Sequence, residues 1–570
     1  MAAVLLVGGC ATLPESGGVH RESIDPPGQL ADAPYFTPSG PAKDGTPAAI
    51  VSGFLVAMRA NPLSMSVART FLSARARTTW EPNRGTLIYE TPNVETTAFG
   101  ARVRLTDTRR LDPRGGWLGG RTGGSETLAL KLVSESGQWR IDNPPDALVV
   151  PTSYFERNFA RFNLYFFDQT GEVLLPDPIF IPRGEQTATN LVRGLLAGPG
   201  STLGQVTRSA IPSRTTLDLS VVVTVSGVAE VPVSRDVLGA SPGELGRMMD
   251  QLAWTLRQVP GISRIRLTVD GAPVPLPAGR LDVSVSSGEQ YDAGGQSESS
   301  RLWGLRGGKV VQADAAAGTA APGPLGRAGY SLRSLAVGGT PRRFAAVSQN
   351  GSSLFLAPGG EGADDARAAR ALRGTDLLRP SFDLFGDVWV VDRTRSGAQV
   401  WVLRDGKATQ LRVPGVTGAT VAAFSMARDG SRIVFGLAGD ANPTLRIADI
   451  LRGDEGAVSG VGQVRSVPSG LVDGARVADI GWRDPATLAL LSRPTAETSA
   501  VSFVSVDGSP ISQGLVEPGL FREVASSLVV SPDVDLPLLI VTPDQRLFRL
   551  TSSGQWARST ERFLSAAYGR

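Results

Sequence analysis

Apolar residues recur at helical spacing twice near the start of the chain. Ile50, Phe54, Leu55 and Met58 share one face of a predicted helix over 47–58, and Val67, Phe71 and Leu72 repeat the pattern over 66–80. Alternating stretches follow at 86–90, 101–106 and 126–133, and Gly137-Gln138-Trp139-Arg140-Ile141 closes the run. Helices leading into a curved antiparallel sheet predict an α+β domain over 47–155. A second set follows: a strand over 163–168, a helix over 187–196 ending at Ala197-Gly198-Pro199, and a hairpin of 217–225 and 228–233 turned at Ser226-Gly227. A helix over 241–259 then begins with Ser241 three residues before Glu244 and stops at Pro260-Gly261, and a strand over 265–269 turns at Asp270-Gly271. The order β-α-β-β-α-β predicts a further α+β domain over 160–277.

From Ser299 on, helical periodicity gives way to short strands carrying a central aromatic or branched residue, at 302–305, 354–356, 400–403, 445–447, 501–504 and 547–550. Their mean spacing of about 49 residues suits one four-stranded propeller blade. Turns at Gln349-Asn350-Gly351, Arg404-Asp405-Gly406, Arg428-Asp429-Gly430 and Val506-Asp507-Gly508 lie between apolar strands, as hairpins require. Residues 301–563 are therefore expected to form a β-propeller of five or six blades, with a hairpin over 300–314 joining the C-terminal strands to close the ring. The Gly-, Ser- and Gln-rich stretch before it makes 278–300 a linker.

Composition removes several chemistries. Of 570 residues, 41% are hydrophobic and 19% charged, which suits globular domains; 57 basic against 54 acidic residues leave a formal charge of +3, so nucleic acid is not implied. The single histidine, His20, and the single cysteine, Cys10, both fall in the first twenty residues. Histidine triads, cysteine nucleophiles, zinc sites and internal disulfides are thereby excluded from everything downstream, and no metal, cofactor or catalytic residue is assigned. A carboxylate-dependent propeller hydrolase or lyase would have to draw on Asp364-Asp365, Asp383, Asp387, Asp533 or Asp535, but these read as solvated turn and loop acids. Asp533-Val534-Asp535 lacks the remaining oxygen ligands of a calcium loop. Trp303, Trp389, Trp401, Trp482 and Trp556 could be core residues or sugar-stacking surfaces. Gln251 and Trp254 read as core more readily than as ligand contacts. Arg102, Arg104, Arg109, Arg110 and Arg114 form a local excess of positive charge that could steer an acidic partner or simply face solvent.

The N-terminus carries a different signal. Residues 1–9 are apolar and end in small side chains directly before Cys10, and 10–46 are polar and rich in proline and glycine. Val7-Gly8-Gly9-Cys10 resembles a bacterial lipobox, which implies a signal peptide over 1–9 and a diacylglycerol, with palmitate-type acylation, on the Cys10 thiol. The absence of Lys or Arg before the apolar run leaves open a start codon farther upstream. Residues 10–46 are expected to be a flexible tether at the extracytoplasmic face of the cell membrane.

The closing Gly137-x-Trp139-x-Ile141 strand resembles the end of an NTF2-like domain. Leu195-Leu196-Ala197-Gly198-Pro199, Ala210-Ile211-Pro212 and Gln251-Leu252-Ala253-Trp254-Thr255-Leu256 resemble the GerMN domain of spore-germination and envelope proteins. Taken in order, lipobox, α+β domain, GerMN domain and propeller resemble the actinobacterial LpqB lipoprotein family. That resemblance implies binding to the extracytoplasmic domain of an MtrB-like sensor kinase and modulation of MtrA-type signalling in cell-envelope homeostasis and division. Of the functional positions, it carries over Cys10 alone. A peptidoglycan- or glycan-binding envelope protein is the alternative reading.

Overall fold

A computed structural model of the chain describes residues 35–569, apart from 99, 121–123, 294–300, 314–318, 340–341, 361, 364–365, 439–443, 454, 472–473, 512–515 and 532.

The first helix, Pro47–Ala57, begins where its chemistry dictates: the Thr46 side chain accepts a hydrogen bond from the Ala49 amide and Pro47 occupies the first turn. It buries Ile50, Val51, Phe54 and Leu55. The expected helix over 66–80 is instead two short ones, Ser66–Thr70 and Ala74–Thr79. Ser73 interrupts them, because its hydroxyl caps the second helix at the Ala76 amide while its own amide donates to the Ile141 carbonyl at 2.8 Å. Two sheets complete this unit. One runs in the order Trp117–Gly120, Arg109–Leu111, Thr86–Tyr89, Leu148–Pro151, and the other in the order Pro92–Thr97, Gly100–Thr106, Ser125–Glu135, Gln138–Ile141. Helices precede strands as expected; the likeness to NTF2-like domains stays a resemblance of sequence.

In the second unit Phe159–Asp168 pairs antiparallel with Leu174–Pro182. The latter strand escapes sequence reading because Pro176 and Pro178 interrupt its apolar run, yet every residue from Leu174 to Ile181 is buried. Helix Thr187–Leu196 matches its predicted bounds, and helix Pro242–Leu256 carries the expected capping box between Ser241 and Glu244. That second helix is the crossover between the parallel strands Val228–Pro232 and Arg264–Val269. The supposed linker belongs largely here. Val283–Ser284 pairs with Arg264–Ile265, Val283 enters the core, the Tyr291 ring meets Phe167 edge-on at 4.9 Å, and Ala293 is buried against Val173 and Leu175. Three apolar side chains among the glycines and serines suffice to dock residues 278–293, so a linker beginning at 278 is wrong.

The remainder is a propeller. Among the described residues six sheets follow one another, starting at Leu302, Leu332, Ser381, Val421, Arg476 and Ser527. Their innermost strands touch in sequence all the way round and line an axial cavity of about 90 Å³ bordered by Val337, Phe382, Phe424, Ile480, Val529 and Ala567. The first sheet is shared between the two ends of the domain: Ala566–Tyr568 pairs with Leu302–Arg306, with Trp303 opposite Ala567. The expected hairpin, described over Leu302–Arg306 and Lys309–Gln312, closes the ring, and the propeller therefore runs past the boundary at 563. The aromatic repeat marks the third strand from the axis in five sheets but the second in the closing sheet, where the C-terminal strand takes the innermost place.

Removing residues 564–570 should accordingly expose the inner edge of the closing sheet and lower the melting temperature by at least ~5 °C in calorimetry, whereas removing Arg570 alone should leave it unchanged. Equal melting of the two truncated proteins would contradict closure by this strand.

Candidate functional site

Two of the weighed carboxylates are not solvated. Asp383 and Asp387, in the turn between Ser381–Phe382 and Val388–Thr394, are 4% and 1% exposed. Asp383 accepts from Trp389 Nε1 at 2.7 Å, from the Asp387 amide at 2.9 Å and from Arg452. Asp387 accepts from Arg404 Nε at 2.7 Å and from Arg452 Nη1 at 2.9 Å. Arg452 also donates to the Gly430 and Gly456 carbonyls, and its guanidinium lies 4.2 Å from the centre of the Phe385 ring. Burial pushes the Asp383 carboxyl up while Arg452 pulls it down. Each of the four carboxylate oxygens accepts a hydrogen bond. Acid/base work on a substrate would have to break this neutral cluster of two acids and two arginines. Sequence reading missed it because Arg404 and Arg452 arrive from other strands, 17 and 65 residues beyond Asp387.

Asp533 and Asp535 do form a turn, in which Asp533 accepts from the Asp535 amide at 3.0 Å, and Asp535 is exposed. Asp364 and Asp365 lie outside the described residues. Among the described residues no group of three His, Cys, Asp or Glu side chains could hold a metal ion.

Trp303, Trp389 and Trp482 are buried. Trp401 is half-buried against the blade core, and Trp556 is half-buried with its Nε1 donating to the Gly519 carbonyl at 2.8 Å. The five tryptophans therefore serve packing rather than a sugar-stacking face. Gln251 and Trp254 are core as read: Gln251 accepts from the Ala210 amide at 2.8 Å, pinning Ala210-Ile211-Pro212 to the helix, and Trp254 packs edge-on against Tyr165 under the Arg257 guanidinium.

The five arginines separate. On Gly100–Thr106 the residues alternate, Ala101, Val103 and Leu105 inward and Arg102 and Arg104 outward, and neither of these arginines has an ion-pair partner among the described residues. Glu95 stands opposite Arg102 on the adjoining strand and Asn93 opposite Arg104. Arg109 and Arg110 lie on the other sheet, where Arg110 is paired with Glu126. Arg114 is not a surface group at all. It binds Asp112 at 3.0 Å, Asp177 at 2.8 Å and the Gly198 carbonyl at 2.9 Å, tying the first unit to the second. Its partner Asp177 sits inside the strand that the prolines conceal.

The second unit is in turn fixed to the propeller. Gln205 accepts from the Gln463 amide at 2.9 Å, Gln169 from the Arg452 amide at 3.2 Å, and Arg161 donates to the Ser505 hydroxyl at 2.8 Å. All three propeller residues belong to the fourth and fifth sheets, so one side of the ring is committed to this contact.

Residues 40–156 match the model described as the lipoprotein LpqB N-terminal domain, 163–275 a sporulation and spore-germination domain, and 308–561 the lipoprotein LpqB beta-propeller domain. The chain belongs to the LpqB lipoprotein family. Its relatives include lipoprotein LpqB of Streptomyces coelicolor, 29% identical with 98% of this chain and 95% of the relative covered. The Thermobifida fusca protein of the same name is 26% identical, with 98% and 96% covered. The first GerMN domain of the Bacillus subtilis sporulation protein GerM aligns with 22% of this chain and 97% of its own at 23% identity and a TM-score of 0.19. TolB of Acinetobacter baumannii aligns over 85% and 83% at 11% identity and a TM-score of 0.33. Neither score carries an argument. LpqB membership implies membrane anchoring through lipid, and among the described residues no helix is long and apolar enough to cross a membrane. Cys10 lies outside the described residues.

The buried cluster predicts unequal costs. Asp387→Ala leaves Arg404 without a carboxylate and Arg452 with Asp383 alone, and should destabilise the propeller by about 3–5 kcal/mol. Asp535→Ala, at an exposed turn, should change stability by less than about 0.5 kcal/mol. Urea unfolding midpoints that fall equally would return Asp387 to the solvated acids.

Proposed function

We propose that this LpqB lipoprotein is held at the extracytoplasmic face of the cell membrane by a diacylglycerol on Cys10. There it binds the sensor domain of an MtrB-like two-component histidine kinase and modulates MtrA-type signalling in envelope homeostasis and division. The observation that carries the binding reading is the outward pair Arg102 and Arg104, exposed on one strand and without an ion-pair partner among the described residues. Unpaired guanidiniums at a flat sheet face steer an acidic partner and are screened by salt. A non-catalytic role is supported by the condition of the carboxylates: Asp383 and Asp387 are consumed by arginines. The glycan-binding alternative loses its support with the burial of Trp303, Trp389 and Trp482.

Arg102→Glu with Arg104→Glu should slow association with the kinase sensor domain by about tenfold at low salt and flatten its salt dependence, measured by surface plasmon resonance. An unchanged on-rate in the double variant would remove this face from the interface. Replacing the thiol tests the anchor separately: Cys10→Ala should shift the protein from the membrane to the soluble or secreted fraction and abolish acyl labelling. Full membrane retention would refute lipidation at Cys10.

A further inference from the structure

The second unit contains a pocket of about 430 Å³ that neither the anchor nor the kinase reading uses. Its floor is Phe167 with Ala210, Ile211 and Pro212, the segment that Gln251 clamps from below. Arg208, at the end of the short strand Thr207–Arg208, and Arg247, on helix Pro242–Leu256, both line it. A Cβ placed on Gly171 would lie 2.4 Å from Arg208 Nη2 and 3.6 Å from Arg247 Nη1, so the two nitrogens are no farther apart than the sum of those distances. Neither arginine has a carboxylate at ion-pair distance among the described residues. Two guanidiniums so close repel each other, and a doubly charged oxyanion seated between them relieves that repulsion with charge-assisted hydrogen bonds. The turn that brings Gly171 there is firmly made: buried Asp168 accepts from the Thr170, Glu172 and Val173 amides at 3.1, 2.9 and 3.0 Å. Gly171 has φ of +79°, a conformation open to glycine, and the missing side chain leaves the space in which the guanidiniums converge.

The rest of the lining narrows the ligand. Asp236 and Glu244 stand on the rim, each with one oxygen taken by a neighbouring serine, Ser234 and Ser241, and the other open as an acceptor, and the floor is apolar. Carboxylates there would repel a second anionic group and accept hydrogen bonds from hydroxyls, while the C–H faces of a carbon skeleton suit Ile211 and Pro212. We infer that this pocket binds a hydroxyl-bearing phosphate monoester, a polyol or sugar phosphate, with the phosphate between Arg208 and Arg247 and the hydroxyls toward Asp236 and Glu244.

Titration calorimetry of the full-length protein with glycerol 3-phosphate, inorganic phosphate and glycerol tests this. Glycerol 3-phosphate should bind saturably and more tightly than inorganic phosphate, and glycerol should not bind. Arg208→Ala and Arg247→Ala, both at exposed positions, should each weaken the ester by about tenfold or more. Gly171→Ala should do the same by filling the space between them, while Arg235→Ala, whose partner Asp270 lies outside the pocket, should leave binding intact. Circular dichroism of each variant verifies that the fold is kept. The inference is overturned if no saturable binding occurs, if the arginine variants bind as the parent does, or if inorganic phosphate binds more tightly than the ester.

Discussion

Nearly half of the molecule depends on one short antiparallel pairing, Trp303 opposite Ala567. Until the last strand arrives the first sheet lacks its innermost member, and joining residues 264 positions apart carries a loop-closure cost that contacts at the seam must offset. The chain meets this cost with a compact lock. A Cβ on Gly304 would lie 2.2 Å from the Phe563 ring, so the glycine is what admits that fully buried aromatic beneath the strand. Arg306 then covers the ring, its guanidinium 4.9 Å from the centroid, and pairs with Glu561. Apolar filling, cation–π contact and ion pair all act within a few residues of the seam, where the strand hydrogen bonds alone would be too few.

Closure matters beyond the propeller because the second unit docks on particular sheets of the ring. Gln463 and Arg452 of the fourth sheet and Ser505 of the fifth meet Gln205, Gln169 and Arg161. These contacts pair a side chain with a backbone amide or a hydroxyl, and they are directional in a way that apolar burial is not. Arg452 takes part twice. Its amide donates to the second unit while its guanidinium holds Asp383 and Asp387, so a change in the ionic cluster reaches the inter-unit contact through a single residue. Arg114 plays the corresponding part at the other junction. A chain of such ties sets the orientation of the first unit's sheet face relative to the propeller, something three independently tethered domains would lack.

Legibility followed the range of the interactions involved. Helix Pro242–Leu256 could be read because Ser241 and Glu244 cap it locally, and the propeller because its strands repeat at blade length. The GerMN segments were legible as short motifs. What sequence could not show were features whose partners lie far away in the chain. Asp387 looks like a turn acid until Arg404 and Arg452 are brought to it, and Arg114 looks like one more surface arginine until Asp177 appears in a strand disguised by two prolines. The stretch 278–293 has a linker's composition, yet Val283, Tyr291 and Ala293 at the right places fold it onto the second unit. The Arg208–Arg247 pocket gave no signal at all, since 39 residues separate two arginines in a chain that is full of them.

Arginine supplies 53 of the chain's 57 basic residues, with lysine at Lys43, Lys131, Lys309 and Lys407, and several of its roles here are internal. Arg114, Arg404, Arg452 and Arg465 all spend their charge on buried or half-buried carboxylates, and Arg483 on backbone carbonyls. A planar five-donor group suits that work, because one side chain can satisfy a carboxylate and a carbonyl together, as Arg114 does with Asp177 and Gly198. The near-neutral total of 57 basic and 54 acidic residues says little about how charge is arranged on the surface. Many arginines have no ion-pair partner among the described residues, and the informative ones are those that stand in pairs: Arg102 and Arg104 side by side on a sheet face, and Arg208 and Arg247 at one pocket. At both places two guanidiniums stand together with no carboxylate at ion-pair distance among the described residues, and it is that doubling of unmatched charge which marks them for recognition rather than architecture.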